Sequence, residues 1–130
     1  MKTWRLLGQY DAESTTYSAL AVSGMASPYT PDFNGRMIGL RTVVNRSAAT
    51  SLINHVEFRL TCTSFRPNVI EVGGQGSGLQ TAPAVQAAHV DWEVDQPVQA
   101  GVTITIEGRN VTADTPVTVS ALIYALFEAN

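Results

Sequence analysis

Three carboxylates alternate with apolar residues in one short stretch of the sequence, at Asp91, Glu93 and Asp95. If this stretch is a β-strand, the three side chains share one face at about 7 Å intervals, given a rise of ~3.3 Å per residue. A calcium ion needs several oxygens at about 2.4 Å around one point, usually from a loop. The spacing therefore argues against a metal site and indicates an acidic stripe that meets water, arginines, a protein partner or a ligand.

Acid–base catalysis would need two carboxylates held in one site. Glycoside hydrolysis, for example, uses such a pair, and the sequence offers Glu57, Glu71, Glu93 and Glu107. No spacing among these residues selects a pair. The sequence therefore predicts no catalytic carboxylates.

Nucleophilic catalysis would need a serine or cysteine beside a histidine and an acid. The only histidines are His55 and His89, and the only cysteine is Cys62. Cys62 alternates in phase with Val56 and Phe58, which predicts a buried, unreactive thiol. Two histidines without a cysteine cluster also argue against zinc. We therefore expect no enzyme activity, no cofactor and no metal.

Two further groups of residues could bind ligands. Gly73, Gly74, Gly76 and Gly78 would suit a phosphate loop only if a helix and a Lys-Ser/Thr pair followed, and neither does. A loop or bulge is predicted there instead. The aromatic residues of the N-terminal third could stack on sugar rings, or they could serve the core and an interface. They are Trp4, Tyr10, Tyr17 and Tyr29, of which Trp4 is the candidate for an interface or ligand site.

The overall composition fits one domain, residues 1–130, without a disulfide framework. Charged residues make up 15% of the chain, against about 25% in typical domains. Charge depletion is typical of surfaces buried between copies, although a neutral, Thr-rich surface on a monomer would look the same. The net charge of −3 argues against nucleic-acid binding through phosphate contacts.

No stretch of the sequence approaches the ~20 apolar residues of a membrane helix. The segment from Met1 to Leu7 is not followed by a long apolar run or a small-residue cleavage site, so it does not predict a signal peptide. We therefore expect neither a transmembrane segment nor export, and a location in a virion or in the cytoplasm.

Alternation with a period of two predicts strands along most of the chain. The predicted strands are Thr3–Tyr10, Thr15–Ser23, Arg36–Asn45, His55–Phe65, Val90–Asp95, Val102–Glu107 and Pro116–Glu128. Strict alternation in Arg36–Asn45 puts Met37 and Val43 on one face, and Ile38, Leu40 and Val44 on the other. With turn signals between the strands, the pattern predicts an all-β fold, an antiparallel β-sandwich or jelly roll of about eight strands. The predicted core is Val56, Phe58, Leu60, Trp92, Val94, Ile104, Ile106, Val119 and Ile123.

The last predicted strand is apolar on both faces. One face carries Ile123 and Phe127, and the other turns apolar at Leu122, Tyr124 and Leu126. A helix from Ser120 to Ala129 is the alternative, because Ala and Leu favour helices, but Pro116 and the Val-Thr alternation favour a strand. Exposed to water, the second face would be an aggregation hazard. We therefore predict that Leu122, Tyr124 and Leu126 form an interface with another copy of the chain.

A family resemblance is carried by three stretches, His89-Val90-Asp91-Trp92-Glu93-Val94, Val102-Thr103-Ile104-Thr105-Ile106, and residues 117–124. Together with the Gly- and Ala-rich connection before them, they resemble the strand series of small single jelly-roll proteins of viral capsids. The resemblance implies a structural subunit that self-assembles into a virion coat, with copies of itself and other virion proteins as partners. With only Lys2 and Arg5 near the start, direct genome packaging is not expected. The alternatives are a carbohydrate- or ligand-binding β-sandwich and a small β-fold enzyme.

Overall fold

The computed structural model describes residues 1–12, 17–19, 28–45, 54–76, 87–110 and 119–130. All regular secondary structure in these residues is β-strand, so none of it is a helix of membrane-spanning length and hydropathy. The strands are β1 (Lys2–Ala12), β2 (Ser18–Ala19), β3 (Gly35–Asn45), β4 (Asn54–Thr61), β5 (Val69–Gly76), β6 (Ala87–Val98), β7 (Thr105–Asn110) and β8 (Val119–Ala129).

The strands form two antiparallel sheets that pack face to face. The first sheet has the order β1-β8-β3-β6, and the second has the order β2-β7-β4-β5. The first strand pairs with the eighth, the second with the seventh, the third with the sixth and the fourth with the fifth. This nested pairing is that of one long antiparallel ribbon rolled into a sandwich, the jelly-roll arrangement. The predicted all-β sandwich is therefore confirmed.

Alternation along each strand decides what the two sheets bury between them. In β4, Val56, Phe58 and Leu60 are buried, while Glu57 and Arg59 point outward. The buried apolar residues form one cluster shared by both sheets. Its members are Leu7, Met37, Leu40, Val44, Val56, Phe58, Leu60, Cys62, Phe65, Val72, Val98, Ile104, Ile106, Ala121, Ile123, Ala125 and Phe127.

A bulge in β3 changes the face on which its first residues lie. The register shifts between Met37 and Gly39, so Met37 points into the core together with Leu40 and Val44. Strict alternation had grouped Met37 with Val43 instead, and that grouping is wrong because one extra residue reverses the phase of the strand. Val43 faces outward.

The C-terminal residues settle the choice between strand and helix. Residues 119–129 form β8, which lies between β1 and β3 at the centre of the first sheet. One face of β8 carries the buried Ala121, Ile123, Ala125 and Phe127, and the other carries Leu122, Tyr124 and Leu126 on the side away from the second sheet. The alternative of a helix from Ser120 is therefore wrong.

The glycine-rich segment is a strand where a loop or bulge was predicted. Gly73, Gly74 and Gly76 belong to β5 and pair with β4, whereas Gly78 lies outside the described residues. The Gly73 carbonyl accepts hydrogen bonds from Thr42 Oγ1 at 3.1 Å and from Trp92 Nε1 at 3.0 Å. These two hydrogen bonds connect β5 to β3 and β6 of the other sheet.

The prediction that Trp92 belongs to the buried core is wrong. It is opposite the buried Leu40, so it faces the second sheet, but β6 is an edge strand and the side chain remains 38% exposed. Its indole closes the open side of the sandwich by reaching Gly73. Val94 packs only partly buried against the core, and the side chain of Val119 lies outside the described part. The other predicted core residues are buried.

Candidate functional site

The side of the first sheet that points away from the second sheet is called the outer face here. Residues directly opposite one another across its four strands form rows, with Cβ atoms about 4.5–5.5 Å apart within each pair. The three central rows are Trp4–Leu126–Gly39–Glu93, Leu6–Tyr124–Arg41–Asp91 and Gln9–Leu122–Val43–His89. Six residues predicted as interface or ligand residues therefore lie on one surface.

The outer face is apolar on one half and charged on the other. Along β8, Leu122, Tyr124 and Leu126 are half-buried, beside Leu6 of β1. On the opposite half, the edge strand β6 presents His89, Asp91 and Glu93, all exposed. We call Leu122, Tyr124 and Leu126 the apolar stripe.

Trp4 lies across the outer face from β1 toward β3, and 40% of its surface is exposed. Its ring reaches over Gly39 of β3, where an added Cβ atom would lie 3.6 Å from Trp4 Cη2, an ordinary van der Waals distance. The Arg41 guanidinium carbon is 4.6 Å from the centroid of the Trp4 ring, within the range of a cation–π contact. The indole therefore connects the apolar half of the face to the charged half.

Arg41 and Asp91 form a two-pronged ion pair between β3 and β6. Arg41 Nε donates to Asp91 Oδ1 at 2.7 Å and Nη2 donates to Oδ2 at 2.9 Å. The hydrogen bond from Arg41, helped by the charges of Arg41 and His89, lowers the pKa of Asp91. The carboxylate therefore remains charged in mildly acidic solution.

The third acidic residue of the stripe, Asp95, binds Arg36 of β3 through the arginine Nε. Two of the three carboxylates on β6 thus have arginine partners, as the sequence suggested for an acidic stripe. All three are exposed, and among the described residues no group of acidic, histidine or cysteine side chains could hold a metal ion.

A depression of about 360 Å³ lies at the boundary between the two halves of the outer face. It is lined by Trp4, Arg41, Val43, His89 and Tyr124. Sequence reasoning singled out Trp4 and Tyr124 but missed Arg41, Val43 and His89 as site residues. They come together only through the register of β3 with β6 and β8, which no local sequence pattern specifies.

The outward side of the second sheet carries a different cluster, centred on Tyr17. The guanidinium carbons of Arg59 and Arg109 lie 4.2 Å and 4.5 Å from the Tyr17 ring centroid. The Tyr17 hydroxyl donates to Glu71 Oε2 at 3.3 Å. Because Tyr17 immediately precedes β2, these contacts attach the two-residue strand to the sheet.

The glutamates considered for glycoside hydrolysis do not form a catalytic pair in the described structure. Arg59 Nε and Nη2 donate to Glu107 at 3.1 Å and 2.9 Å, and Arg109 Nε donates to Glu57 at 2.9 Å. Glu93 is on the outer face of the other sheet. These are cross-strand ion pairs, which commonly stabilise neighbouring strands.

The nucleophile and base candidates are also separated. Cys62 is buried, and its sulfur lies 3.1 Å from Ser64 Oγ, whereas His89 is exposed on the outer face. The side chain of His55 lies outside the described residues. The buried thiol agrees with the alternation seen in the sequence.

The N-terminal aromatic residues do not form one sugar-stacking platform. Trp4 is on the outer face of the first sheet and Tyr17 is on the outward side of the second. Tyr29 stacks on Phe127, with ring centroids 5.5 Å apart, and the side chain of Tyr10 lies outside the described part. The aromatic partner of Trp4 on its own surface is Tyr124, from the other end of the chain.

Tyr17 makes the stability of the fold sensitive to alkaline pH. Burial, followed by the charge of Glu71, raises the pKa of Tyr17 above its usual value of 10.0, against the opposing effect of Arg109. The folded state therefore holds the phenol proton more tightly than the unfolded state does. This contribution is complete below about pH 10 and declines as the pH rises through the folded-state pKa.

We expect Tyr17→Phe to reduce the loss of stability above pH 10, measured by urea unfolding at a series of alkaline pH values. Burial also raises the pKa of Tyr29, so Tyr29→Phe should remove a further part of the same dependence. Identical slopes above pH 10 for the wild type and Tyr17→Phe would contradict the assigned environment of Tyr17.

Comparison with known proteins gave no match, either to a protein-family model or to a curated protein sequence.

Proposed function

We propose that the chain is a non-enzymatic structural subunit that associates with copies of itself through the outer face, as coat subunits of a virion do. The observation that carries the proposal is the apolar stripe. Leu122, Tyr124 and Leu126 follow one another along the same side of the central strand β8, and they point away from the core that the two sheets share. Protein interfaces are usually depleted of charged residues at their core, as the apolar stripe is.

The size of the outer face suits this role. Four strands about 4.8 Å apart, each eleven or twelve residues long at ~3.3 Å per residue, give a face of about 700 Å². Stable interfaces bury about 800 Å² per partner. A second copy that covered the whole face, with some contact beyond its edges, would reach that size.

A structural role also agrees with the state of the carboxylates. Glu57 and Glu107 accept hydrogen bonds from arginines, and Glu71 accepts one from Tyr17. Each of these groups is engaged in holding neighbouring strands or β2 in place. An acid–base role would require one of them to be released toward a substrate.

The proposal predicts that charges placed in the apolar stripe disrupt assembly without unfolding the chain. Leu122→Arg combined with Leu126→Glu should weaken association by about 100-fold or more, because unpaired charges at an interface centre cost roughly 3 kcal/mol. Size-exclusion chromatography with light scattering gives the oligomeric state, and circular dichroism checks the β fold.

The matched control places the same two charges on the second sheet, as Val69→Arg with Thr105→Glu. Both positions are exposed there, so this variant should assemble like the wild type. A wild type that stays monomeric at high concentration would refute self-association. A folded stripe variant that still assembles would show that the interface lies elsewhere, and an unfolded monomer would show that the chain itself covers the stripe.

The virion role goes one step further than self-association and has its own test. Concentrated wild-type protein, viewed by negative-stain electron microscopy, should form closed rings or shells of uniform size. If only isolated dimers are seen, self-association is supported but the coat function is contradicted.

A further inference from the structure

We infer that the depression on the outer face binds a neutral saccharide, a binding function separate from the proposed assembly. The depression is bordered by two aromatic rings, those of Trp4 and Tyr124, and by Arg41, which forms an ion pair with the neighbouring Asp91. Its volume of about 360 Å³ falls within the range of about 300–1,000 Å³ that small-molecule sites occupy.

The aromatic side matches one surface of a sugar ring. Pyranose rings carry C–H groups on their faces, which pack against aromatic side chains, while their hydroxyl groups project from the rim. Trp4 has 40% of its surface exposed, and its ring lines the depression. A tryptophan that is already held by Arg41 and is partly open to solvent is suited to such stacking, since it loses little conformational freedom on binding.

The ion pair matches the hydroxyl rim. Arg41 uses two of its N–H groups on Asp91, out of the five that a guanidinium carries. Each Asp91 oxygen accepts one of these bonds and has a second lone-pair site. The pair therefore presents donors and acceptors side by side in a fixed geometry, which is what adjacent hydroxyl groups of a sugar require.

The charge around the depression favours a neutral ligand over an anionic one. Asp91 offsets the charge of Arg41, and Glu93 adds a negative charge one row away on β6. A phosphate, sulfate or carboxylate group would meet this carboxylate without an unoccupied arginine to balance it. The histidine that lines the site, His89, is exposed and can act as a hydrogen-bond donor or acceptor.

Sugar binding and self-association would use the same residues. Trp4 and Tyr124 line the depression, and both lie in the rows that carry the apolar stripe. Binding should therefore be measured below the protein concentration at which the chain associates. By mass action, saturating sugar should then shift an associated sample toward monomer.

The test is a titration of wild-type protein with short neutral hexose and N-acetylhexosamine oligosaccharides, followed by saturation-transfer NMR and calorimetry. Sialylated and sulfated oligosaccharides form the comparison set. We expect a neutral oligosaccharide to bind and the anionic set to bind more weakly. Trp4→Ala and Asp91→Asn should each weaken binding by about tenfold or more, the scale of a binding hot spot.

Two matched controls separate this site from general effects on the sheet. Trp92→Ala removes a tryptophan of similar exposure, 38% against 40%, that lies on the other side of the sheet. Asp95→Asn disrupts the equivalent ion pair with Arg36, which does not line the depression. Both controls should bind like the wild type, and Trp4→Tyr should keep most of the affinity because it retains an aromatic face.

Three results would overturn the inference. The first is that no neutral oligosaccharide binds at millimolar concentration. The second is a preference for the anionic set. The third is a loss of affinity that is equal in Trp4→Ala and Trp92→Ala, or in Asp91→Asn and Asp95→Asn. None of these results bears on self-association, which is decided by the light-scattering experiment alone.

Discussion

Phe58→Ala should lower the free energy of unfolding by about 3–5 kcal/mol, the usual cost of removing a buried phenylalanine side chain. Phe58 is 0% exposed and belongs to the cluster that the two sheets share. Its neighbours across the strands are Val72 of β5 and Gly108 of β7, so the lost ring would leave a cavity at the centre of the second sheet. Urea unfolding followed by tryptophan fluorescence measures the loss.

Trp92→Ala provides the comparison, because Trp92 is the larger side chain but lies on an edge strand and is 38% exposed. Its replacement removes the hydrogen bond from the indole to the Gly73 carbonyl and the buried part of the side chain. We expect a loss of about 1–2 kcal/mol, which is smaller than that of Phe58→Ala. The unfolding of this variant should be followed by circular dichroism, since the substitution removes a tryptophan fluorophore. Equal losses for the two variants would contradict the placement of Trp92 at the open side of the sandwich.

Gly35→Ala should lower the free energy of unfolding by about 3 kcal/mol, the upper end of the range for overpacking. A Cβ atom at Gly35 would overlap the backbone oxygen of Glu128 and lie 2.9 Å from the Cα atom of Ala129. Both are backbone atoms of β8, so no side-chain rotation can relieve the overlap. The start of β3 would have to separate from the end of β8.

Two other glycines serve as controls for Gly35→Ala in thermal and urea unfolding. At Gly39, an added Cβ atom would meet Leu126 Cβ at 3.4 Å, so Gly39→Ala should cost less than about 1 kcal/mol. At Gly101 no atom lies within 4 Å, but φ is +81°, so Gly101→Ala should cost about 1 kcal/mol through backbone strain alone. A mild effect at Gly35, equal to that at Gly39, would contradict the close approach of β3 and β8.

The strands with strong alternation were predictable because each has one face on the shared core. The runs around Val56, Val90 and Ile123 repeat apolar residues every second position, and each became a strand of the expected type. A buried face determines this pattern directly, since a slip of one residue would expose every apolar side chain. The sandwich architecture follows from the number of such strands.

β5 was missed because its sequence has little alternation. Val69, Ile70 and Val72 are followed by glycines, which are depleted in strands and are typical of loops. The strand forms because β4 pairs with it along its whole length, and because Thr42 and Trp92 hold the Gly73 carbonyl from the other sheet. Those contacts come from residues distant in sequence, so no local pattern indicates them.

The candidate site was only half predictable for a related reason. The apolar stripe and the acidic stripe each lie on one strand, so their composition is visible in the sequence. That both stripes belong to one face depends on β3, which pairs with β8 on one side and β6 on the other. Arg41 joins the two stripes, and its role becomes apparent only when the register of β3 is known.

The nested pairing of the strands has a consequence for how the chain folds. The innermost pair, β4 with β5, closes a loop of residues 62–68 only, whereas β1 with β8 pairs strands more than 100 residues apart, with Lys2 opposite Glu128. The entropy lost in closing a loop grows with its length, and non-local pairing slows folding. If strand pairing begins at the β4–β5 turn and proceeds to β3 with β6 and then outward, each pair that forms shortens the loop that the next pair has to close. β8 would then join the first sheet late, so the apolar stripe would take its place on the outer face only after the inner strand pairs have formed.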